Sequence, residues 1–249
     1  MKKLRFLILA AGRGSRMLDL TSNRPKCLVE IGGKSILNWQ RNAIKKSGIK
    51  IIQMITGYLS EMIPDNYEKV NNNIWNETNM VYSLFCSKNF NGDTIVSYSD
   101  ILYHSSYIKN LMESKHDITI LADLKWKNLW DLRMENPLED AETFKTENNF
   151  LKSIGDKTDS YKNIQAQYMG LMKFTKKGMN TLKKYYYLLD NDKQKTIDMT
   201  SMLMVLLENK IKIYVYFVNG KWIEADSNED VLIYNQKLIK DDGWIHDWR

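Results

Sequence analysis

Cysteine is scarce in this 249-residue chain, with only Cys27 and Cys86 present. Two thiols cannot build a disulfide framework, and neither stands at the spacing of a metal-binding pair. Histidine is equally sparse. His104, His116 and His246 lie far apart along the chain, which leaves no basis for a His-based zinc site. No apolar run approaches the roughly 20 residues needed to cross a bilayer. Lys2 and Lys3 precede an apolar stretch in the manner of a signal peptide, but that stretch covers only 6–11 before a glycine loop and reads as a strand. The chain is therefore expected in the cytoplasm, with no membrane partner. Internal repeats and low-complexity linkers are missing as well, and no nucleic-acid-binding module is visible.

What is present is a basic chain, with a formal charge of +6 and a pI near 9.0. Such a balance suits anionic partners. The lysines are scattered rather than gathered in one arm, so small anionic substrates are expected rather than nucleic acid. The length suits one large α/β domain spanning 1–249 and leaves no room for a substantial second one.

Apolar periodicity alternates between the two regular structures. Strands are expected at 4–10, 49–55, 94–98, 117–122, 168–174, 211–217 and 221–224. Helices are expected at 35–47 (capped by Ser35 and stopped by Gly48), 79–87 (capped by Thr78), 106–113, 176–189, 199–208 and 227–239. Residues 125–165 are less regular and are expected to hold short antiparallel strands and a loop, with one strand near 150–154. The alternation implies a single Rossmann-like α/β domain, its mostly parallel mixed sheet flanked by helices.

The most informative stretch is Leu9-Ala10-Ala11-Gly12-Arg13-Gly14-Ser15-Arg16-Met17, followed by Arg24-Pro25-Lys26-Cys27-Leu28. A strand running into a glycine loop presents backbone N–H groups to a polyphosphate, and the nearby cations can neutralise charge during phosphoryl transfer. Gly33-Lys34-Ser35 imitates the end of a P-loop, but that motif needs a glycine where Leu28 stands. Gly32-Gly33 reads instead as a turn. Asp100 ends an apolar strand, where open α/β sheets bind ligands, and a hard cation is commonly held there by one or two carboxylates plus substrate phosphates.

These motifs resemble the signature of the nucleotidyltransferases that make CDP-, UDP- or dTDP-activated metabolites. The resemblance implies that Leu9 to Ser15 hold a nucleoside triphosphate, with Arg16 and Lys26 on its phosphates as the catalytic cations. It implies Mg²⁺ on Asp100 and on Asp226, the latter within Trp222-Ile223-Glu224-Ala225-Asp226-Ser227-Asn228-Glu229-Asp230. Ser227 would cap the last helix, Glu229 and Asp230 would serve its dipole, and Glu224 would support the metal site or the structure. Glu77-Thr78-Asn79-Met80-Val81-Tyr82-Ser83-Leu84 is similar to a segment of the CTP:phosphocholine cytidylyltransferase subgroup, which implies CTP and places Asn79 and Ser83 beside the base. Lys157 matches the family lysine that meets the acceptor phosphate, although its usual Glu-Lys-Pro context is absent.

The expected reaction is transfer of CMP to a small phosphorylated non-sugar acceptor, phosphocholine-like or phosphoglutamine-like, with loss of pyrophosphate. The resemblance links it to cell-surface polysaccharide (capsule) modification. Two readings stay open: a sugar-1-phosphate nucleotidyltransferase and a non-catalytic nucleotide-binding subunit. A glycosyltransferase would be expected to use an Asp-x-Asp at a strand end. Asp190-Asn191-Asp192 has those letters but follows a helical run and reads as a solvated turn.

Overall fold

The computed structural model describes residues 4–240 and 243–249. In chain order its strands are β1 (Arg5–Ala10), β2 (Glu30–Ile31), β3 (Lys34–Ser35), β4 (Ile51–Thr56), β5 (Glu68–Asn71), β6 (Thr94–Tyr98) and β7 (Ile101–Tyr103). They continue with β8 (Ile118–Asp123), β9 (Glu142–Glu147), β10 (Phe150–Lys157), β11 (Gln167–Phe174), β12 (Tyr214–Val218) and β13 (Trp222–Glu224). The helices are α1 (Ile36–Lys46), α2 (Met80–Cys86), α3 (Ser105–Glu113) and α4 (Trp126–Arg133). After them come α5 (Lys176–Tyr186), α6 (Asn191–Thr196), α7 (Met199–Glu208) and α8 (Asn228–Lys240).

Nine strands form one sheet in the order β5-β4-β1-β6-β11-β8-β12-β10-β9. β1 pairs in parallel with β4 and β6, as do β4 with β5 and β8 with β12. Only β11 and β10 run against this direction, each pairing antiparallel with its neighbours. The sheet is therefore mixed and mostly parallel. β1 is buried along its whole length, as a central strand covered on both faces should be. One side packs Phe6, Ile8, Ile36, Leu37, Ile44, Ile108 and Leu111; the other packs Leu7, Val96, Met172, Phe174, Met179, Leu182, Met202 and Leu203.

Most expected elements are present with shifts of a residue or two. Ser35 accepts a hydrogen bond from the Asn38 backbone N–H and caps α1, while Gly48 follows the helix at φ +83°. Gly32 and Gly33, both at positive φ, turn β2 into β3.

Four expectations need correction. Asn79, rather than Thr78, caps α2, accepting from the Met80 N–H at 2.8 Å; the Thr78 hydroxyl instead donates to the Ile74 carbonyl. The region 125–165 contains a full helix, α4, and a long hairpin, β9–β10, turned by Asn148 and Asn149 in the left-handed region. Helix α5 stops at Tyr186 and a separate α6 follows. Asp190-Asn191-Asp192 is exposed as expected but opens a helix rather than a turn, the Asp190 carboxylate capping α6 through the Lys193 N–H.

Candidate active site

β1 and β6 lie side by side in parallel, Leu9 opposite Tyr98, so the loop after β1 and Asp100 just beyond β6 emerge at the same edge of the sheet. The second carboxylate arrives by another route. β13 pairs antiparallel with β7, and the Ala225 N–H donates to the Asp100 carbonyl at 2.9 Å. That short ladder sets Asp226 next to Asp100.

Gly14 sits at φ +71°, and a Cβ there would lie 2.8 Å from the Lys26 Cδ. Glycine is required both by the backbone conformation and by the lysine stem running across it. Gly12 has nothing within 4 Å of its would-be Cβ, so open space lies in front of the loop. The loop is pinned from behind. The Thr21 hydroxyl donates to the Gly14 carbonyl, the Tyr58 N–H to the Ala11 carbonyl, and the Tyr58 hydroxyl to the carbonyls of Thr21 and Ser22.

At the centre, the Lys26 ammonium donates to Asp100 Oδ2 at 2.8 Å and to Asp226 Oδ1 at 2.6 Å. Burial alone would depress the lysine pKa, but the two carboxylates outweigh it and hold it above the usual value. Burial would likewise raise Asp226; Lys26, Arg16 and Arg133 overcome this and bring it down to about 2. Arg16, mostly exposed, reaches the same Oδ1 at 3.1 Å.

Arg133, from α4, is the functional residue that the sequence reading missed. Its side chain is only 2% exposed, and its guanidinium meets Glu224 at 2.6 Å, Asp230 at 2.9 and 3.1 Å, and Asp226 Oδ2 at 3.4 Å. Asp230 also accepts from the N–H groups of Asp226 and Ser227, and the Ser227 hydroxyl accepts from the Asp230 N–H, a reciprocal cap on α8. Asp230 is thus a buried anchor for the segment carrying Asp226, beyond the dipole role expected of it. Burial and the carboxylates of Asp226 and Asp140 push Glu224 up to about 8 against the pull of Arg133. The missed signal was charge balance: 224–230 holds four carboxylates and no cation, so one had to come from elsewhere.

These groups face a cleft of about 300 Å³. Leu9, Ala11, Gly12, Gly14, Ser15, Arg16, Lys26, Asn79, Ser83, Asp100 and Asp226 all line it, together with Trp75, Thr78, Met80, Tyr98 and Ser99. Three candidates stand apart from that lining. Ala10 is buried in β1, the Arg13 guanidinium lies over the Tyr58 ring at 5.5 Å, and the Lys157 ammonium donates to the Glu139 carbonyl at 2.9 Å. Asn79 and Ser83 line the cleft while serving α2, Asn79 as its cap and Ser83 as acceptor from the Asn72 amide. A larger hollow of about 720 Å³ opens at the opposite ends of the strands, lined by Ile49, Lys50, Ile51 and Asp93, where none of these motifs reaches.

Two carboxylate oxygens sharing one cation at 2.6 and 2.8 Å form an oxygen donor set suited to a hard divalent ion completed by substrate phosphates. Glycine-loop amides with the Lys26 and Arg16 cations beside them suit a polyphosphate.

The Nucleotidyl transferase family model matches residues 5–121. The CTP:phosphoglutamine cytidylyltransferase of Campylobacter jejuni subsp. jejuni serotype O:2 is 35% identical over 250 residues, covering 93% of this chain and 99% of that one. The choline-phosphate cytidylyltransferase of Streptococcus pneumoniae is 32% identical over 112 residues, 43% of this chain and 49% of its own. The inositol-1-phosphate CTP transferase of T. maritima shares the fold, with a TM-score of 0.73 at 21% identity over 97% of both chains. The chain belongs to the nucleotidyl transferase family and is an enzyme of the transferase class.

Proposed function

We propose that this chain is a Mg²⁺-dependent cytidylyltransferase that moves CMP from CTP to a small phosphorylated non-sugar acceptor and releases pyrophosphate. The observation that carries the reading is the Lys26–Asp100–Asp226 triad beside the glycine loop, with Arg16 at its rim. A relative alignable along nearly the whole chain acts on CTP and phosphoglutamine by its name, which favours that acceptor class over a sugar phosphate. A role in cell-surface polysaccharide modification, starting in the cytoplasm, belongs to the same proposal. Among the described residues no helix is long and apolar enough to cross a membrane.

The chemistry needs no protein nucleophile. An acceptor phosphate is mostly dianionic at neutral pH, its second pKa being near 6, so no base has to remove a proton. One of its oxygens attacks the α-phosphorus in line, a new P–O bond forms, and the bond to the β-phosphate oxygen breaks to release pyrophosphate. Backbone N–H groups of Gly12 to Ser15 cradle the β- and γ-phosphates. Lys26 and Arg16 neutralise the charge gathering on the leaving group. Asp100 and Asp226 would hold Mg²⁺, which when bound would supply charge neutralisation to the reacting phosphates. Asn79 and Ser83 shape the base end of the cleft through α2. Lys157 would exchange the Glu139 carbonyl for the acceptor phosphate, so Lys157→Ala should raise the acceptor KM and leave that of CTP unchanged.

The test is pyrophosphate release from CTP with phosphoglutamine or phosphocholine. Release should cease with a chelator and fall by at least about a hundredfold in Lys26→Ala and Asp226→Ala at saturating substrate. Unchanged turnover in either variant would overturn the site assignment.

A further inference from the structure

Asp226 is surrounded by more cations than one carboxylate needs. Its Oδ1 takes both Lys26 at 2.6 Å and Arg16 at 3.1 Å, while its Oδ2 faces Arg133 at 3.4 Å. Asp100 presents its Oδ2 to the same Lys26 ammonium at 2.8 Å. The lysine therefore lies between the two oxygens that a divalent ion would need. A metal and an ammonium cannot share that position, since both are compact cations drawing on the same lone pairs.

The three cations differ in their freedom to leave. Arg133 is held by Glu224 and Asp230 as well as Asp226, with its side chain 2% exposed. Arg16 is largely exposed and reaches Asp226 from the rim. Lys26 is buried, but its stem runs along Gly14, so the loop that would cradle phosphates lies beside it. A triphosphate held on that loop would offer the ammonium a new anionic partner beside its own stem.

We propose that Lys26 is an internal counter-cation that occupies the divalent-cation position, and that the triphosphate opens this position by drawing the ammonium onto its phosphates. Metal and free lysine then compete, whereas metal and nucleotide reinforce one another, and the reinforcement is reciprocal by linkage. The protein alone binds divalent cations poorly, which keeps Asp100 and Asp226 from holding a metal with no nucleotide present. The identity of the triphosphate rests on the cytidylyltransferase reading, but the competition is a property of the protein alone.

The experiment is Mn²⁺ titration of the protein without nucleotide, with free Mn²⁺ read by electron paramagnetic resonance. Lys26→Gln should bind Mn²⁺ about tenfold or more tightly than the wild type. Adding Asp226→Asn to that variant should abolish the gain. Lys26→Arg, which keeps the charge, should bind as weakly as the wild type. A Lys26→Gln protein that binds Mn²⁺ no more tightly than the wild type, or a Lys26→Arg protein that gains as much as Lys26→Gln, overturns the proposal. Should Lys26→Gln fail to fold, the wild type decides through the ¹⁵N resonance of the Lys26 ammonium. Metal-free CTP should shift that resonance, and Mg²⁺ alone at the concentration supporting turnover should not; a shift with Mg²⁺ alone overturns the competition. If pyrophosphate release proceeds normally while Lys26→Gln shows no gain, the competition fails and the cytidylyltransferase reading stands.

Discussion

Arg133→Met should be the most destabilising single change near the site. Methionine keeps the apolar part of the arginine stem and removes the guanidinium, whose carbon lies 5.2 Å from the centroid of the Trp130 ring. What disappears is the charge that serves Glu224, Asp226 and Asp230. The Arg133 and Asp230 side chains are 2% and 4% exposed, so water cannot replace the lost partner for Asp230. Removing one member of a buried ion pair costs about 3–5 kcal/mol, most of it from the charge left behind. For a chain of this length each kcal/mol moves the melting temperature by about 2–4 °C, which gives a fall of about 6–20 °C. Differential scanning calorimetry of both proteins at neutral pH reads this directly. Adding Asp230→Asn to the Arg133→Met protein should recover part of the loss, because the stranded charge is then gone. A single variant melting within about 2 °C of the wild type would refute the claim that Arg133 anchors this carboxylate cluster.

Three further outcomes follow from particular residues. Gly14→Ala should cost about 1–2 kcal/mol for its left-handed backbone and should also push the Lys26 stem aside, so kcat falls more than the melting temperature suggests; normal kcat would contradict the contact. Glu142 is pushed up to about 7 by burial and by Asp198, Asp140 and Asp156, against the pull of Lys157. Its folded pKa exceeds the unfolded one, so the stability tied to its neutral form is intact below about 4.5 and lost as pH rises through about 7. Glu142→Gln should therefore stabilise the protein at pH 8 relative to wild type and not at pH 4, and thermal melts at the two pH values check it. His246 is fully buried, its Nδ1 3.1 Å from the Trp222 carbonyl, and burial holds its pKa below the usual 6.5. The unfolded chain then takes up the proton first, so stability drops as pH falls below 6.5 toward the lowered value. His246→Phe should flatten that slope, and an unchanged slope in urea titrations at graded pH would exclude His246 as its source.

The parts of this protein legible in its sequence are those whose physics is local. β1, α1, β6, α7 and α8 have strong apolar periodicity and recognisable ends, such as Ser35 and Gly48 around α1. The glycine loop, Lys26 and Asp100 could be singled out from residue type and place at strand ends, and Asp226 from the family resemblance; the structure brings all of them to one cleft. α4 was not legible, although Trp126, Leu129 and Trp130 stand at i, i+3 and i+4, because that stripe is little more than one turn long and its burial is set by distant partners. Arg133 went unseen for the same reason: its partners Glu224, Asp226 and Asp230 come from the other end of the chain. The cap of α2 was misassigned by one residue because Thr78 and Asn79 are both competent caps, and tertiary bonds decide between them. Asn79 accepts from the helix while Thr78 is engaged by Asn72 and Ile74. The short α6 depends on Asp190 and on the docking of Lys195 and Thr196 carbonyls against Asn79, again a long-range contact.

The most direct test of the central claim is pyrophosphate release measured with Mg²⁺ for each of CTP, UTP, dTTP, ATP and GTP against phosphoglutamine, phosphocholine, phosphoethanolamine and several sugar-1-phosphates. Release confined to CTP with a non-sugar acceptor is the predicted result. Turnover of a sugar-1-phosphate in preference to all of these acceptors, or none with any pair, would contradict it.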